Sequence, residues 1–168
     1  IVASCGQTDA KGDRSKRPGD QADPDQYVHV VERRPDGVVV RGAKLHNTSA
    51  MTDEIIVIPT RALRKTEQDY AIAFAIPADT EGVYLISKFA DFSKRAPGLE
   101  APLAEVGDVE CMVVLDNVFV PNERIFINGE TEFGGQLALL FALFHRHSYS
   151  GCKAGMADVM MGTAALVT

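Results

Sequence analysis

No apolar run in this 168-residue chain reaches the roughly 18 residues that a membrane-crossing helix needs, and no basic-then-apolar leader opens it. A helical span and a secretory signal are therefore excluded within these residues, and no membrane partner is expected. Cysteine is scarce. Cys5, Cys111 and Cys152 are odd in number and far apart, which argues against a disulfide framework and for a reducing cytoplasm. Positive charge is outnumbered, with 17 Lys and Arg against 23 Asp and Glu, and the net −6 argues against a nucleic-acid partner. Internal repeats and low-complexity tracts are missing too. What remains is an ordinary apolar share, 46%, at a length that suits one domain or one domain plus part of another.

Both ends read as cut. The chain begins at Ile1, runs straight into strand-like sequence, and stops inside the small-residue helical pattern Met160–Thr168 with no stop signal. A fragment of a larger protein is the expectation. Residues 6–26 form a polar loop rich in Asp, Lys, Arg, Gly and Pro. A hairpin signal follows: Tyr27–Arg34, the turn Pro35-Asp36-Gly37, then Val38–Ala43. Further strands are expected at Glu54–Ile58, Tyr70–Ile76, Val83–Lys88 and Glu110–Val120, with Pro59, Pro77 and Pro121 closing three of them. Residues 89–107 read as an irregular excursion. Six or so strands with turn signals between them predict a closed barrel or a sandwich. From Thr131 the texture becomes helical, with Leu137, Leu140, Phe141 and Phe144 on an apolar face.

The run His145–Lys153 carries the chemistry. An α-helix advances about 100° per residue, so His145, Tyr149, Cys152, Lys153 and Met156 fall on one face. That face holds an imidazole, a phenol, a thiol and an amine where a buried helix carries Leu or Ala. At about 1.5 Å rise per residue, His145 and Cys152 are roughly 10.5 Å apart along the axis. That is wide for one zinc ion and compatible with an iron–sulfur cubane. Two readings stand: a site, or a small-residue helix with a satisfied histidine and an inert thiol.

Other signals are weaker. Gln7-Thr8-Asp9-Ala10-Lys11-Gly12-Asp13-Arg14 offers a hydroxyl and two cationic side chains that suit a polar cofactor edge or a phosphate, or a solvated turn. It lacks the Gly-Lys-Ser/Thr triplet of a Walker loop. Lys44-Leu45-His46-Asn47-Thr48 reads as a loop after a strand. Glu110 stands at the mouth of Cys111–Leu115, a nearly all-apolar run in which period-2 alternation is lost, as a general base, an orienting group or an exposed strand end. His29 and His147 read as structural, and Cys5 and Cys111 as packed thiols.

Taken together, Thr8 through Arg14, Asp23-Pro24, Val38 through Lys44, Asp116 through Pro121 and His145 through Lys153 resemble the 4-hydroxybutyryl-CoA dehydratase family. The wider group includes the flavin-dependent 4-hydroxyphenylacetate 3-monooxygenases and has the acyl-CoA dehydrogenase fold. The first four segments are shared across that group, and His145 with Cys152 is the discriminating pair. The resemblance implies an α+β fragment: a middle β-barrel over residues 1–128, then the first helices of a C-terminal helical bundle over 129–168, with an N-terminal helical domain absent.

The same resemblance implies FAD held at Gln7, Thr8, Asp9, Lys11, Gly12, Asp13 and Thr48. It implies a 4Fe-4S cluster with His145 and Cys152 as two of four ligands, the others lying on a Cys-x-x-x-Cys helix that this chain does not contain. His145, Tyr149, Glu110 and Lys153 would surround an acyl-CoA substrate in a cytoplasmic homotetramer. The implied reaction is dehydration of 4-hydroxybutyryl-CoA to crotonyl-CoA, with isomerisation of vinylacetyl-CoA, by a flavin-radical route with the cluster as Lewis acid. His145 would serve as base, Tyr149 as donor to the leaving group and Glu110 as an orienting group. A flavin-dependent phenol hydroxylase, or a non-catalytic relative of the same fold, is the alternative.

Overall fold

A computed structural model describes residues 1–47, 51–87 and 110–167. Eight strands and one long helix organise them: β1 Ala3–Gly6, β2 His29–Arg34, β3 Gly37–Asn47, β4 Glu54–Val57, β5 Ile72–Pro77, β6 Val83–Ser87, β7 Cys111–Pro121, β8 Ile125–Asn128 and α1 Thr131–Val167. The predicted hairpin forms, with Arg34 paired to Gly37 across the turn. The segment 44–47, expected as a loop, instead continues β3. The β8 strand had no expectation. Residues 89–107, Lys88 and Thr48 lie outside the described residues.

The expected closed barrel is not found among the described residues. The strands form two four-stranded sheets, ordered β1-β4-β5-β8 and β2-β3-β7-β6. Among the described residues β1 and β4 pair in parallel, and the other strand pairs are antiparallel. Alternation explains why the two sheets face each other. Ile55 and Val57 of β4, with Ile72, Phe74 and Ile76 of β5, meet Val38 and Val40 of β3 and Val113, Leu115, Val118 and Val120 of β7 in one buried cluster. Each aliphatic side chain taken fully out of water contributes about 1.5–3 kcal/mol before chain entropy is charged against it.

Within β7 the sequence looks uniformly apolar, yet its burial alternates from Cys111 to Leu115, correcting the expectation of a strand without alternation. The phase then breaks at Asp116 and Asn117, both exposed, and resumes at Val118. Asn117 takes φ 53°, and the pairing with β3 shifts register between Val40 and Gly42. This bulge keeps both halves of β7 pointing apolar residues into the same core.

The opposite face of the first sheet carries a second, smaller core. Ile58, Ala71, Ala73 and Ile127 pack with Cys5, Ile56 and Leu63 against Leu137 and Phe141 of α1. Close approach depends on Gly135, where an added Cβ would lie 3.0 Å from the Ala62 Cβ. Beyond Ala142 the helix runs on with its side chains exposed. Several helices were expected over 129–168; the structure has one of 37 residues.

Candidate active site

Where β1, the loop after it, the end of β3, the start of β7 and the middle of α1 converge, they enclose an open cleft of about 510 Å³. Cys5, Gln7 and Thr8 form one wall, Asn47 and Glu110 the next, and Phe141, His145 and Tyr149 the helical side. Five residues singled out in the sequence, Gln7, Thr8, Glu110, His145 and Tyr149, thus meet at one place although up to 142 positions separate them.

The helix supplies a column of stacked groups at four-residue spacing. Phe141 and His145 stack with ring centroids 5.7 Å apart and planes 9° apart, and His145 and Tyr149 with 5.1 Å and 26°. Lys153 Nζ stands 4.6 Å over the Tyr149 ring, a cation–π contact. Successive i, i+4 side chains meet on a helix surface, so the sequence spacing alone creates this column. Cys152 is exposed on the same helix and does not line the cleft.

The loop wall is fixed from beneath by a buried ion pair. Lys44 Nζ donates to Asp9 Oδ1 at 2.7 Å, to the Gln7 carbonyl at 3.1 Å and to the Ile58 carbonyl at 2.8 Å, so all three ammonium donors are used. Asp9 Oδ1 also accepts from the Val28 N–H at 3.0 Å. Burial pushes the Asp9 carboxyl up and the Lys44 ammonium down, each towards neutrality, while their mutual attraction opposes both shifts. Asp9, expected beside a cofactor, therefore turns inward. The Leu45 N–H donates to the Thr8 carbonyl at 2.8 Å, and Gln7 Nε2 donates to the Ala138 carbonyl at 3.3 Å, which ties the loop to β3 and to α1.

The rest of the loop leaves the cleft. Asp13 accepts from the Ser15 N–H at 3.0 Å and its hydroxyl at 2.7 Å, bonds that hold its carboxyl below the usual range. Gly12 adjoins it, and Lys11 lines a separate recess.

Two lining residues escaped the sequence reading. Cys5 is half-buried, and desolvation pushes its thiol up to about 11 against the attraction of Lys44, so at neutral pH it is a thiol and a poor metal ligand. Asn47 is buried with its Nδ2 unpartnered among the described residues. A buried unpaired donor costs about 1–3 kcal/mol, which marks the spot where a ligand acceptor would fit. No sequence pattern distinguishes this Asn from one in an ordinary loop.

Residues 1–127 match the family model described as 4-hydroxyphenylacetate 3-hydroxylase N terminal. The chain is 43% identical over 171 residues to the 4-hydroxybutyryl-CoA dehydratase/vinylacetyl-CoA-Δ-isomerase of Clostridium aminobutyricum, covering 99% of this chain and 35% of that protein. It is 34% identical to the 4-hydroxyphenylacetate 3-monooxygenase oxygenase component of Thermus thermophilus, over 95% of this chain and 34% of the relative. Among solved structures, the oxygen-tolerant archaeal 4-hydroxybutyryl-CoA dehydratase of N. maritimus superposes with a TM-score of 0.84 at 39% identity, covering 95% of this chain and 33% of that one. A 4-hydroxyphenylacetate 3-monooxygenase oxygenase component complexed with FAD does so with 0.65 at 33% identity, over 79% of this chain and 27% of that one. The chain thus spans about a third of the length of these relatives. On the match of its first 127 residues, and with the fold these relatives share, the chain belongs to the 4-hydroxyphenylacetate 3-hydroxylase N-terminal family.

Proposed function

We propose that, within a protein of its relatives' full length, this chain serves the dehydration of 4-hydroxybutyryl-CoA to crotonyl-CoA and the isomerisation of vinylacetyl-CoA. The observation that carries the reading is the meeting of Gln7, Thr8, Glu110, His145 and Tyr149 on one cleft, in a chain 43% identical to a dehydratase. FAD suits the loop wall: Gln7 and Thr8 offer polar groups, and the unpartnered Asn47 amide awaits an acceptor. When bound, FAD supplies one-electron chemistry that no side chain of this chain can provide. Thr48, next to Asn47, is assigned with them to the flavin, as are Asp9, Lys11, Gly12 and Asp13 through the loop they build.

The chain's own residues then hold and move protons. The net reaction removes one proton each from C2 and C3 and hydroxide from C4, and returns one proton to C4. His145, its ring held between Phe141 and Tyr149, takes the C2 proton that the thioester acidifies. Tyr149 donates a hydrogen bond to the departing C4 oxygen, and Lys153 over its ring orients the phenol. Glu110, on the facing wall, orients the polar network.

The 4Fe-4S cluster is a separate matter. No three His, Cys, Asp or Glu side chains converge among the described residues. His145 and Cys152 are thus at most half of its ligand set, and these residues do not form its site alone. Full-length protein purified without oxygen tests the whole reading. Cys152→Ala should lose iron and activity, whereas Tyr149→Phe should keep iron and lose rate. The exposed Leu139, Leu143, Phe144 and Met160 of α1 support burial of the helix within a full-length protein, which we assign to a cytoplasmic homo-oligomer. The family match and the FAD-bound relative favour a second reading, an FAD-dependent phenol hydroxylase. Wild-type protein carrying FAD with no iron or acid-labile sulfide would replace the dehydratase by that hydroxylase.

A further inference from the structure

The strand β1 presents its smallest side chains to the cleft. Side chains alternate along a strand, and a Cβ on Gly6 would lie 3.3 Å from the Lys44 Cγ, on the β3 side. Ala3 and Cys5 therefore face the other way, towards α1. The pairing agrees: Cys5 stands beside Ile56, and both pack on the second core, which also seats Phe141. Ala3 and Cys5 line the cleft together with the rings of His145 and Tyr149. Two residues of a strand advance about 6.6 Å. The two ring centroids are 5.1 Å apart, so the small pair and the ring pair are of similar length. Burial keeps Cys5 a neutral thiol, and such a thiol packs as a small hydrophobe. Asn47, almost wholly buried and with its Nδ2 unpartnered among the described residues, lines the same cleft and marks it as a place that a ligand completes.

We propose that Ala3 and Cys5, set against the rings of His145 and Tyr149, form a slot that selects an unbranched acyl chain and rejects one branched beside its thioester. A straight methylene chain is thin, whereas a methyl group at C2 fits only if one wall retreats. Neither wall gives readily. On the helix, His145 is stacked on Phe141, which is rooted in the second core. On the strand, the Val2 carbonyl accepts from the Thr52 hydroxyl at 2.8 Å and the Asp53 N–H at 2.9 Å, which fastens the start of β1. This inference rests on the acyl-CoA reading, in which C2 meets His145 and the C4 oxygen meets Tyr149, and adds a limit on the shape of the acyl group.

The test uses the full-length protein, the variants Ala3→Leu and Cys5→Ala, and three probes that cannot turn over: butyryl-CoA, its branched isomer isobutyryl-CoA, and CoA itself. Calorimetric titration gives each Kd. One misplaced methyl group in an apolar pocket is worth about 10–200-fold, so the wild type should bind butyryl-CoA at least about tenfold more tightly than isobutyryl-CoA. Cys5→Ala, which removes the sulfur from the wall, should narrow that gap at least about threefold. Ala3→Leu fills the slot from an exposed strand position, and should weaken butyryl-CoA at least about tenfold while leaving CoA unchanged. Equal binding of the two isomers to the wild type overturns the slot and leaves the acyl-CoA reading standing. If neither isomer binds more tightly than CoA, the slot and the acyl-CoA reading fall together. Wild-type selectivity that neither variant alters overturns the assignment to Ala3 and Cys5. Should Ala3→Leu fail to fold, the wild-type ratio and Cys5→Ala decide the matter.

Discussion

Lys44 Nζ lies 2.7 Å from Asp9 Oδ1, both side chains almost wholly buried, and this pair fastens the cleft loop to the sheet. Removing one partner leaves the other's charge without compensation in the interior. Lys44→Met should cost about 3–5 kcal/mol of unfolding free energy. The double variant Asp9→Asn/Lys44→Met should cost less than the two single changes summed. Urea unfolding of all four proteins gives the coupling, and strict additivity would show that the pair is not a unit.

Glu67 accepts from Arg17, through Nε at 2.8 Å and also Nη2, and from the Arg64 N–H at 2.7 Å. Burial alone would raise its carboxyl, but these bonds outweigh it and hold the group below its ordinary 4.5. A depressed carboxylate stabilises the fold above its unfolded pKa, and that stability fades as pH falls through the lower folded value. Glu67→Gln should therefore lose about 1–3 kcal/mol at pH 7 and match wild type in strong acid. A penalty that persists below pH 2 would contradict this account.

Gly42 takes φ +132°, and an added Cβ would sit 2.6 Å from the Val28 Cα. Backbone cannot swing aside as a side chain can. Gly42→Ala should destabilise by about 2–4 kcal/mol, combining conformational strain with overpacking. Thermal melting checks this, and a shift of under a degree would show that β3 relaxes at its bulge.

Cys5 gives a pH-dependent chemical signature. With its thiol pushed up to about 11, its alkylation by iodoacetamide should be slow at pH 7, climb about tenfold per pH unit and level off only near its pKa. Lys44 helps to restrain that shift, so Lys44→Met should slow the reaction further at a given alkaline pH. Peptide mapping against pH follows it, and full labelling at pH 7 would contradict the burial.

The strands were legible because β-branched runs bounded by Pro and Gly leave the chain few alternatives. Residues 38–40 and 72–76 are apolar throughout, and the strands they form are buried on both faces. The division into two sheets was not legible, since a strand's periodicity says which face is buried and nothing of its neighbours. Within the site, the column on α1 followed from four-residue spacing. The inward turn of Asp9 did not, because its partner Lys44 lies 35 residues away in the sequence. Asn47 was invisible for the same reason: an amide becomes informative only when its surroundings leave it unsatisfied.

The column from Phe141 to Lys153 is also a screw. Four residues advance an ideal helix by about 40° beyond a full turn, so three such steps rotate the side chains by about 120°. Its lower end is apolar and seated in the sheet, its middle rings border the cleft, and its charged end has wound away from it. A small axial slip of α1 would thus change which ring fronts the cleft, making Gly135 and its seat on Ala62 the stop that sets the thread.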